Sequence, residues 1–270
     1  MRRVLIVFVV VAMLMVAAPA GGITFGQPDG DGHPNVGVMI LQLDDGSLVP
    51  WCSGTMVSDR VFLTAAHCIW FLDQYFGVDG YEIGVTFIPD LGLDDPAPNY
   101  DESDLIFGDG YAHPAFDGKY GSSSKRIDVA VVVLDEDPGV GHSELPEENL
   151  LDRIDLKTAM FTTVGYGTVR DDKKTGPHAI ADDGMRRYAV QTASQANDGW
   201  LKLSMNPSTG DGGTCYGDSG GPHFLGAGEG ETTTVVSVTS HGDSFCRSTD
   251  WTARVDTPEA LSFITAFIQG

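Results

Sequence analysis

The apolar residues of this chain come in short runs, and that constrains its fold more than any other feature. Residues 36–43, 61–64, 129–134, 160–164 and 235–239 are rich in β-branched or aromatic side chains, and Gly, Pro, Asn or Asp clusters separate them. The punctuation is dense, with 34 glycines and 14 prolines in 270 residues. Helical periodicity is largely absent, so the pattern predicts an all-β sandwich or barrel. The C-terminus is the exception. Leu261, Ile264, Phe267 and Ile268 share one helical face over 258–268, and Thr257 stands as a cap before Pro258. A terminal helix packed on a β body is expected.

The first twenty residues read as a secretory signal. Arg2 and Arg3 precede an apolar run over 4–17, and Ala18-Pro19-Ala20 follows as a small-x-small cleavage site. That run falls short of the roughly 20 residues needed to span a bilayer. No later stretch is long enough either, so no stable membrane span is expected after cleavage. Residues 21–270 then suit one large β domain or two small barrels sharing a cleft. Cys52, Cys68, Cys215 and Cys246 form an even set in an exported chain, which favours two disulfides over a metal site; spacing alone leaves all three pairings open. With 38 acidic against 16 basic side chains, the net charge is −22. Such a surface repels nucleic acid and attracts cationic partners. Residues 90–104 and 170–184 read as long loops, and Ser122-Ser123-Ser124 as a shorter one. The acidic group Asp94, Asp95, Asp101, Glu102 and Asp104 lacks the spacing of a calcium loop and reads as solvated.

Three distant strings carry chemistry: Thr64-Ala65-Ala66-His67-Cys68, Asp128-Val129-Ala130-Val131, and Gly217-Asp218-Ser219-Gly220-Gly221-Pro222. A serine hydroxyl is a poor nucleophile at neutral pH unless an imidazole takes its proton and a carboxylate holds that imidazole in the useful tautomer. Ser219 is flanked by glycines that let a substrate carbonyl approach the backbone. The N–H groups of Gly217 and Ser219 are placed to meet a developing oxyanion. Asp128 heads an apolar run, where a carboxylate is costly unless it accepts hydrogen bonds; the N–H of a histidine would serve. His67 is the base of choice among seven histidines. His33 and His113, each before a proline, read as turn residues. His223 and His241 have no partner at metal-ligand spacing, so no zinc site is expected. The Gly-x-Ser-x-Gly pattern also fits a nucleophile elbow, but that fold places its acid and histidine after the serine, amid alternating strands and helices. The 51 residues after Ser219 lack that organisation.

These strings resemble the trypsin-like, chymotrypsin-fold serine peptidases over nearly all of residues 21–270. Residues 62–68 match that family's histidine segment, residues 111–116 the stretch before its aspartate, and Val164-Gly165-Tyr166-Gly167 an early segment of its second barrel. Ser240-His241-Gly242 matches the strand that pairs with substrate backbone. The resemblance implies two six-stranded antiparallel β-barrels, dividing near 138–151, with the active site in the cleft between them and a C-terminal helix. It implies pairing of Cys52 with Cys68 and of Cys215 with Cys246. It assigns Asp218 to a pairing with a freshly exposed N-terminal amine, for which Ile23, in Ile23-Thr24-Phe25-Gly26, is the match. Cleavage after Ala20 leaves Gly21-Gly22 ahead of Ile23, so a second trimming step is expected if that pairing is used. Gly213, six residues before Ser219, falls at the base of the primary pocket, where trypsins carry an acid; Asp250 near the pocket's back wall is the alternative acid. The resulting expectation is a secreted, monomeric serine endopeptidase that acts on polypeptides and needs neither cofactor nor metal. The competing readings are a catalytically silent binding protein of the same fold, a precursor awaiting N-terminal trimming, and an esterase using the same site.

Overall fold

The computed structural model describes residues 23–77, 80–119, 127–170 and 180–269. The leader expected over residues 1–20 lies outside them, as do Gly21, Gly22, Ser122, Ser123, Ser124 and residues 171–179 of the second long loop.

Two closed antiparallel barrels of six strands each make up the body. The first is built from β2 (Val36–Leu43), β3 (Leu48–Met56), β4 (Val61–Thr64), β5 (Tyr81–Thr86), β6 (Ile106–Ala112) and β7 (Ala130–Leu134). Its order is β2-β3-β4-β7-β6-β5, and pairing of β2 with β5 closes it. The second contains β8 (Met160–Gly165), β11 (Arg187–Ala196), β12 (Trp200–Ser204), β13 (Pro222–Leu225), β14 (Val235–Gly242) and β15 (Thr249–Arg254). Its order is β11-β12-β15-β14-β13-β8, and β8 pairs with β11 to complete the ring. Closure leaves no free edge along either ring, which is how all-β chains avoid edge-to-edge aggregation. A short β1 (Gln27–Pro28) adds to β11, and β9 (Val169–Arg170) pairs with β10 (Ile180–Ala181). Residues 135–159 connect the barrels and hold one short 3-10 turn, Leu150–Asp152.

One buried cluster spans both barrels. Val36, Val38, Leu63 and Val131 of the first belong to the same buried cluster as Val164, Trp200, Phe224 and Val238 of the second. Continuous apolar burial of this kind holds the cleft walls in fixed relation, because neither barrel can turn without exposing its inner face. Helix α2 (Pro258–Ile268) contributes Ala260 and Ile264 to that cluster and packs on β4 and β7. Thr257 caps it as expected, its hydroxyl accepting the Ala260 N–H at 3.3 Å.

Helix α1 (Ala66–Tyr75) was not foreseen from the pattern. Its N-cap is Ala65, which offers no side-chain oxygen, and no acidic residue stands in its first turn. The missing cap arrives from another strand. Asp128, shortly before β7, accepts the His67 N–H at 2.8 Å. A second unforeseen feature ties down the N-terminal arm. Arg186, 2% exposed, donates to the Asp29 carboxylate, to the carbonyls of Gly30, Val36 and Phe87, and to the Tyr166 hydroxyl. His33, expected as a simple turn residue, sits between Asp29 (2.5 Å) and Glu231 (2.6 Å). Burial opposes its protonation, but hydrogen bonds to both carboxylates prevail and raise its pKa to about 9.

Candidate active site

The cleft brings the three strings together, and the local reasons can be traced residue by residue. Strand β4 ends at Thr64, and α1 begins at Ala66, so His67 leaves barrel one in the helix's first turn. The Cys52–Cys68 disulfide holds that turn to β3, and the Trp51 indole N–H donates to the Cys68 carbonyl at 2.9 Å. Because their sulfurs are bonded to each other, Cys52 and Cys68 offer no thiolate beside His67.

Asp128 is fully buried and holds three donors on two oxygens. Its Oδ1 accepts the His67 backbone N–H at 2.8 Å; its Oδ2 accepts the His67 Nδ1–H at 2.9 Å and the Ser240 Oγ–H at 2.5 Å. Burial is the largest single influence and disfavours the charged form. The His67 charge and the hydrogen bonds from His67 and Ser240 together outweigh it, holding the carboxyl below its usual range. An ionised carboxylate on Nδ1 leaves Nε2 as the imidazole's basic atom.

The Ser219 loop is docked onto the strand that leads to His67. The Ser219 carbonyl accepts the Ser53 N–H at 2.9 Å, and the Ser53 carbonyl accepts the Thr64 hydroxyl at 2.9 Å. Next to the serine, Gly220 has φ +79°, and a Cβ there would lie 2.0 Å from Thr64 Oγ1 and 2.8 Å from Ala65 N. Only a residue without a side chain permits that approach. On the other side of the serine, Gly217 has φ +94°. Neither its N–H nor that of Ser219 finds an acceptor among the described residues.

Asp218 points the opposite way and is fully buried. Its oxygens accept the N–H groups of Gly167 and Cys215, both at 2.8 Å. With burial dominant and no ion pair to a cation among the described residues, its pKa is pushed up to about 7. Gly165 and Gly167 leave the space this carboxylate occupies, since a Cβ on Gly165 would lie 2.2 Å from Oδ1. The expected partner, Ile23, is also buried. Its neighbour Thr24 bridges to Gly213, two residues before Cys215, and accepts the Gly213 N–H at 2.9 Å. Here the Ile23 nitrogen is a peptide amide, and no hydrogen bond joins it to Asp218 among the described residues.

A cavity of about 240 Å³ opens beside Ser219, walled by Thr214, Cys215 and Tyr216 on one side and by Ser240, His241 and Gly242 on the other. The Cys215–Cys246 disulfide crosses its rim. The His241 ring lies parallel to Trp251 at 6.1 Å and edge-on to Trp200. Burial pushes its pKa down, which favours the uncharged ring. Ser240 and Gly242 fall on the cavity, but the Ser240 side chain turns toward Asp128.

Two expected pocket residues stand elsewhere. Gly213 is buried under Met205 and Gln191, and Asp250 is fully buried behind them; neither lines the cavity. Asp250 accepts from His223 Nε2 and Gln191 Nε2, both at 3.1 Å. Its strand position directs it into barrel two, which spacing from Arg254 alone did not reveal. Sequence reasoning also missed Ser53, which carries no local signal. The acidic cluster is exposed, and Asp101 spends its carboxylate capping the Glu102–Asp104 turn.

A protein-family model described as Trypsin matches residues 33–260 of this chain. Kallikrein-8 of Rattus norvegicus is 26% identical over 175 residues, covering 63% of this chain and 61% of the rat protein. Serine protease Hayan of Drosophila melanogaster is 25% identical over 212 residues, covering 73% of this chain and 31% of the fly protein. The chain therefore spans less than two thirds of the length of either curated relative. A solved structure titled HL collagenase superposes with a TM-score of 0.65 at 16% identity, covering 92% of this chain and 99% of that one, which is a likeness of fold.

Proposed function

The chain belongs to the trypsin family, and from that premise we propose that it is a serine endopeptidase whose triad is Ser219, His67 and Asp128. One observation carries the reading: a buried carboxylate fixes both the backbone and the Nδ1 of His67, while the Ser219 loop is docked against the strand leading to that histidine. In the first step the Ser219 oxygen attacks the peptide carbonyl carbon and its proton passes to His67 Nε2. The carbonyl oxygen, now anionic, accepts from the N–H groups of Gly217 and Ser219. His67 then returns the proton to the leaving amine, and the C–N bond breaks to give an acyl-enzyme. Water repeats the sequence, releasing acid and restoring the serine. Asp128 stays ionised throughout and stabilises the imidazolium. The substrates are polypeptides, with Ser240–Gly242 as the pairing strand and the adjacent cavity as the primary subsite.

The same premise extends to maturation. Export by the leader over residues 1–20 and removal of Gly21-Gly22 would free the Ile23 amine. A cation at that point would meet a buried, poorly compensated carboxylate in Asp218. Ile23 has φ +28°, costly for a β-branched residue, and that dihedral exists only while Gly22 is attached. These observations support trimming as the activating event. Labelling with a fluorophosphonate probe, beside Ser219→Ala and with intact mass read together, tests the scheme. Labelling confined to the wild type, on chains beginning at Ile23, is the expected result. Labelling that survives Ser219→Ala refutes the nucleophile, and full labelling of chains beginning at Gly21 refutes trimming. Relative turnover of matched amide and ester substrates separates a peptidase from an esterase.

A further inference from the structure

Helix α1 carries more than the catalytic base. His67, Phe71 and Tyr75 recur every four residues, so they line one face of it. Ring contacts run along the row, His67 to Phe71 at 6.4 Å and Phe71 to Tyr75 at 6.0 Å. Exposure climbs outward from the cleft: His67 is 7% exposed, Phe71 is half-buried and Tyr75 is 73% exposed. The opposite face serves barrel one, where Cys68, Ile69 and Leu72 join a buried cluster and Trp70 packs against it. Trp70 also meets Phe116 edge-on at 6.2 Å, and a Cβ on Gly118 would strike its ring, so the helix is firmly held. Phe71 and Tyr75 lie outside that cluster. A contiguous aromatic surface leading out of the cleft on a fixed element has the character of a contact site.

The proton transfer says which half of a substrate meets this row. In the catalytic reading above, the acyl half lies along Ser240–Gly242 of barrel two. His67 hands its proton to the leaving amine, so the residues after the cleaved bond begin at His67, on the barrel-one side. From there, four residues of helix advance about 6 Å and eight about 12 Å. Those distances equal roughly two and four residues of extended chain. Resting on that reading, we propose that Phe71 and Tyr75 form a leaving-side subsite that selects apolar or aromatic residues after the cleaved bond. Phe71 meets the second or third such residue, and Tyr75 the fourth or fifth. A large apolar side chain there buries area against the rings, and an aromatic one adds ring pairing. An alanine leaves both rings facing water.

The test pairs turnover with binding. Internally quenched peptides, identical before the cleaved bond, carry Phe or Ala at each of the first five positions after it. They are compared on the wild type, on Tyr75→Ala, and on Met160→Ala, which removes an exposed apolar side chain of barrel two. The wild type should favour Phe over Ala by about tenfold in kcat/KM at the second or third position, and again at the fourth or fifth. Tyr75→Ala should cut the outer preference by about fivefold or more, and Met160→Ala should leave both preferences at their wild-type values. A wild type that favours Phe less than about twofold at all four positions overturns the proposal, as does an outer preference that Tyr75→Ala does not move. The wild-type ratios decide it even if the Tyr75 variant does not fold. Binding of the same peptides to Ser219→Ala, followed by fluorescence anisotropy, needs no chemistry and should show the same order of affinities. The two readings therefore fail separately. An unlabelled wild-type Ser219 with the expected binding order sinks the catalytic reading alone, whereas a labelled Ser219 with equal affinities for the Phe and Ala peptides sinks the subsite alone.

Discussion

Replacing Asp128 by Asn puts the proposed catalytic geometry under its most direct strain. The aspartate presents two acceptor oxygens to three donors, the His67 N–H, the His67 Nδ1–H and the Ser240 hydroxyl. Asparagine offers one acceptor and one NH₂. If its oxygen keeps the helix cap at His67 N, the NH₂ faces Nδ1, which must then give up its proton. The imidazole proton moves to Nε2, the atom that has to accept from Ser219. If the oxygen faces Nδ1 instead, the NH₂ meets the His67 N–H and the first turn of α1 loses its cap, at about 1 kcal/mol. The first arrangement satisfies more donors and should prevail, since Ser240 can rotate to donate elsewhere. The wrong tautomer should then lower kcat about 10⁴-fold, or roughly 5 kcal/mol of barrier, with KM little changed. The assay is kcat and KM on a peptide amide, with thermal unfolding to confirm that the fold persists. An Asp128→Asn variant keeping more than about a tenth of wild-type kcat would refute the role of Asp128 as the tautomer-setting group.

Other perturbations probe the surrounding framework. Gly220→Ala drives a methyl to 2.0 Å from Thr64 Oγ1 and 2.5 Å from the Ser53 carbonyl at a positive φ, so it should destabilise by about 3 kcal/mol or more and abolish Ser219 labelling, read by urea unfolding and the same probe. His33 has its pKa raised from 6.5 to about 9, so its ion pairs stabilise fully below pH 6.5 and lose up to about 3 kcal/mol as pH rises through 9; His33→Gln should flatten that alkaline limb. Asp218 behaves in the opposite sense to a paired carboxylate. With its pKa raised from 3.8 to about 7 in the untrimmed chain, its own contribution to stability is complete below pH 3.8 and falls by up to about 4 kcal/mol as pH rises through 7. Unfolding curves of untrimmed and Ile23-initiated protein should diverge over that window, and parallel curves would show that the new amine does not reach Asp218.

Much of this was written in the linear order of residues, for physical reasons. Strands declare themselves through local alternation and turn chemistry, so five runs of apolar residues anticipated strands in both barrels, and Thr257-Pro258 with its periodic followers announced α2. The nucleophile loop is legible because its demands are local. Glycines around Ser219 are needed wherever the loop sits. What the linear order could not contain was any contact whose two halves are far apart and individually ordinary. Helix α1 has no cap in its own segment because Asp128, 61 residues away, provides it. Ser240 looked like a backbone-pairing residue, and only the approach of β14 to the first barrel turned its hydroxyl onto Asp128. His33 looked like a turn residue until Asp29 and Glu231 closed on it from both sides. Asp250 looked like a pocket acid from its spacing. Its strand's register points it into barrel two, against His223 and Gln191. Sequence alone determined which chemical groups are present and which short segments each can form, since those follow from local sterics and side-chain chemistry. The tertiary structure decided which carboxylate holds His67, which one is buried without a cation, and which one is buried against His223, because charge and burial are properties of the whole packed surroundings.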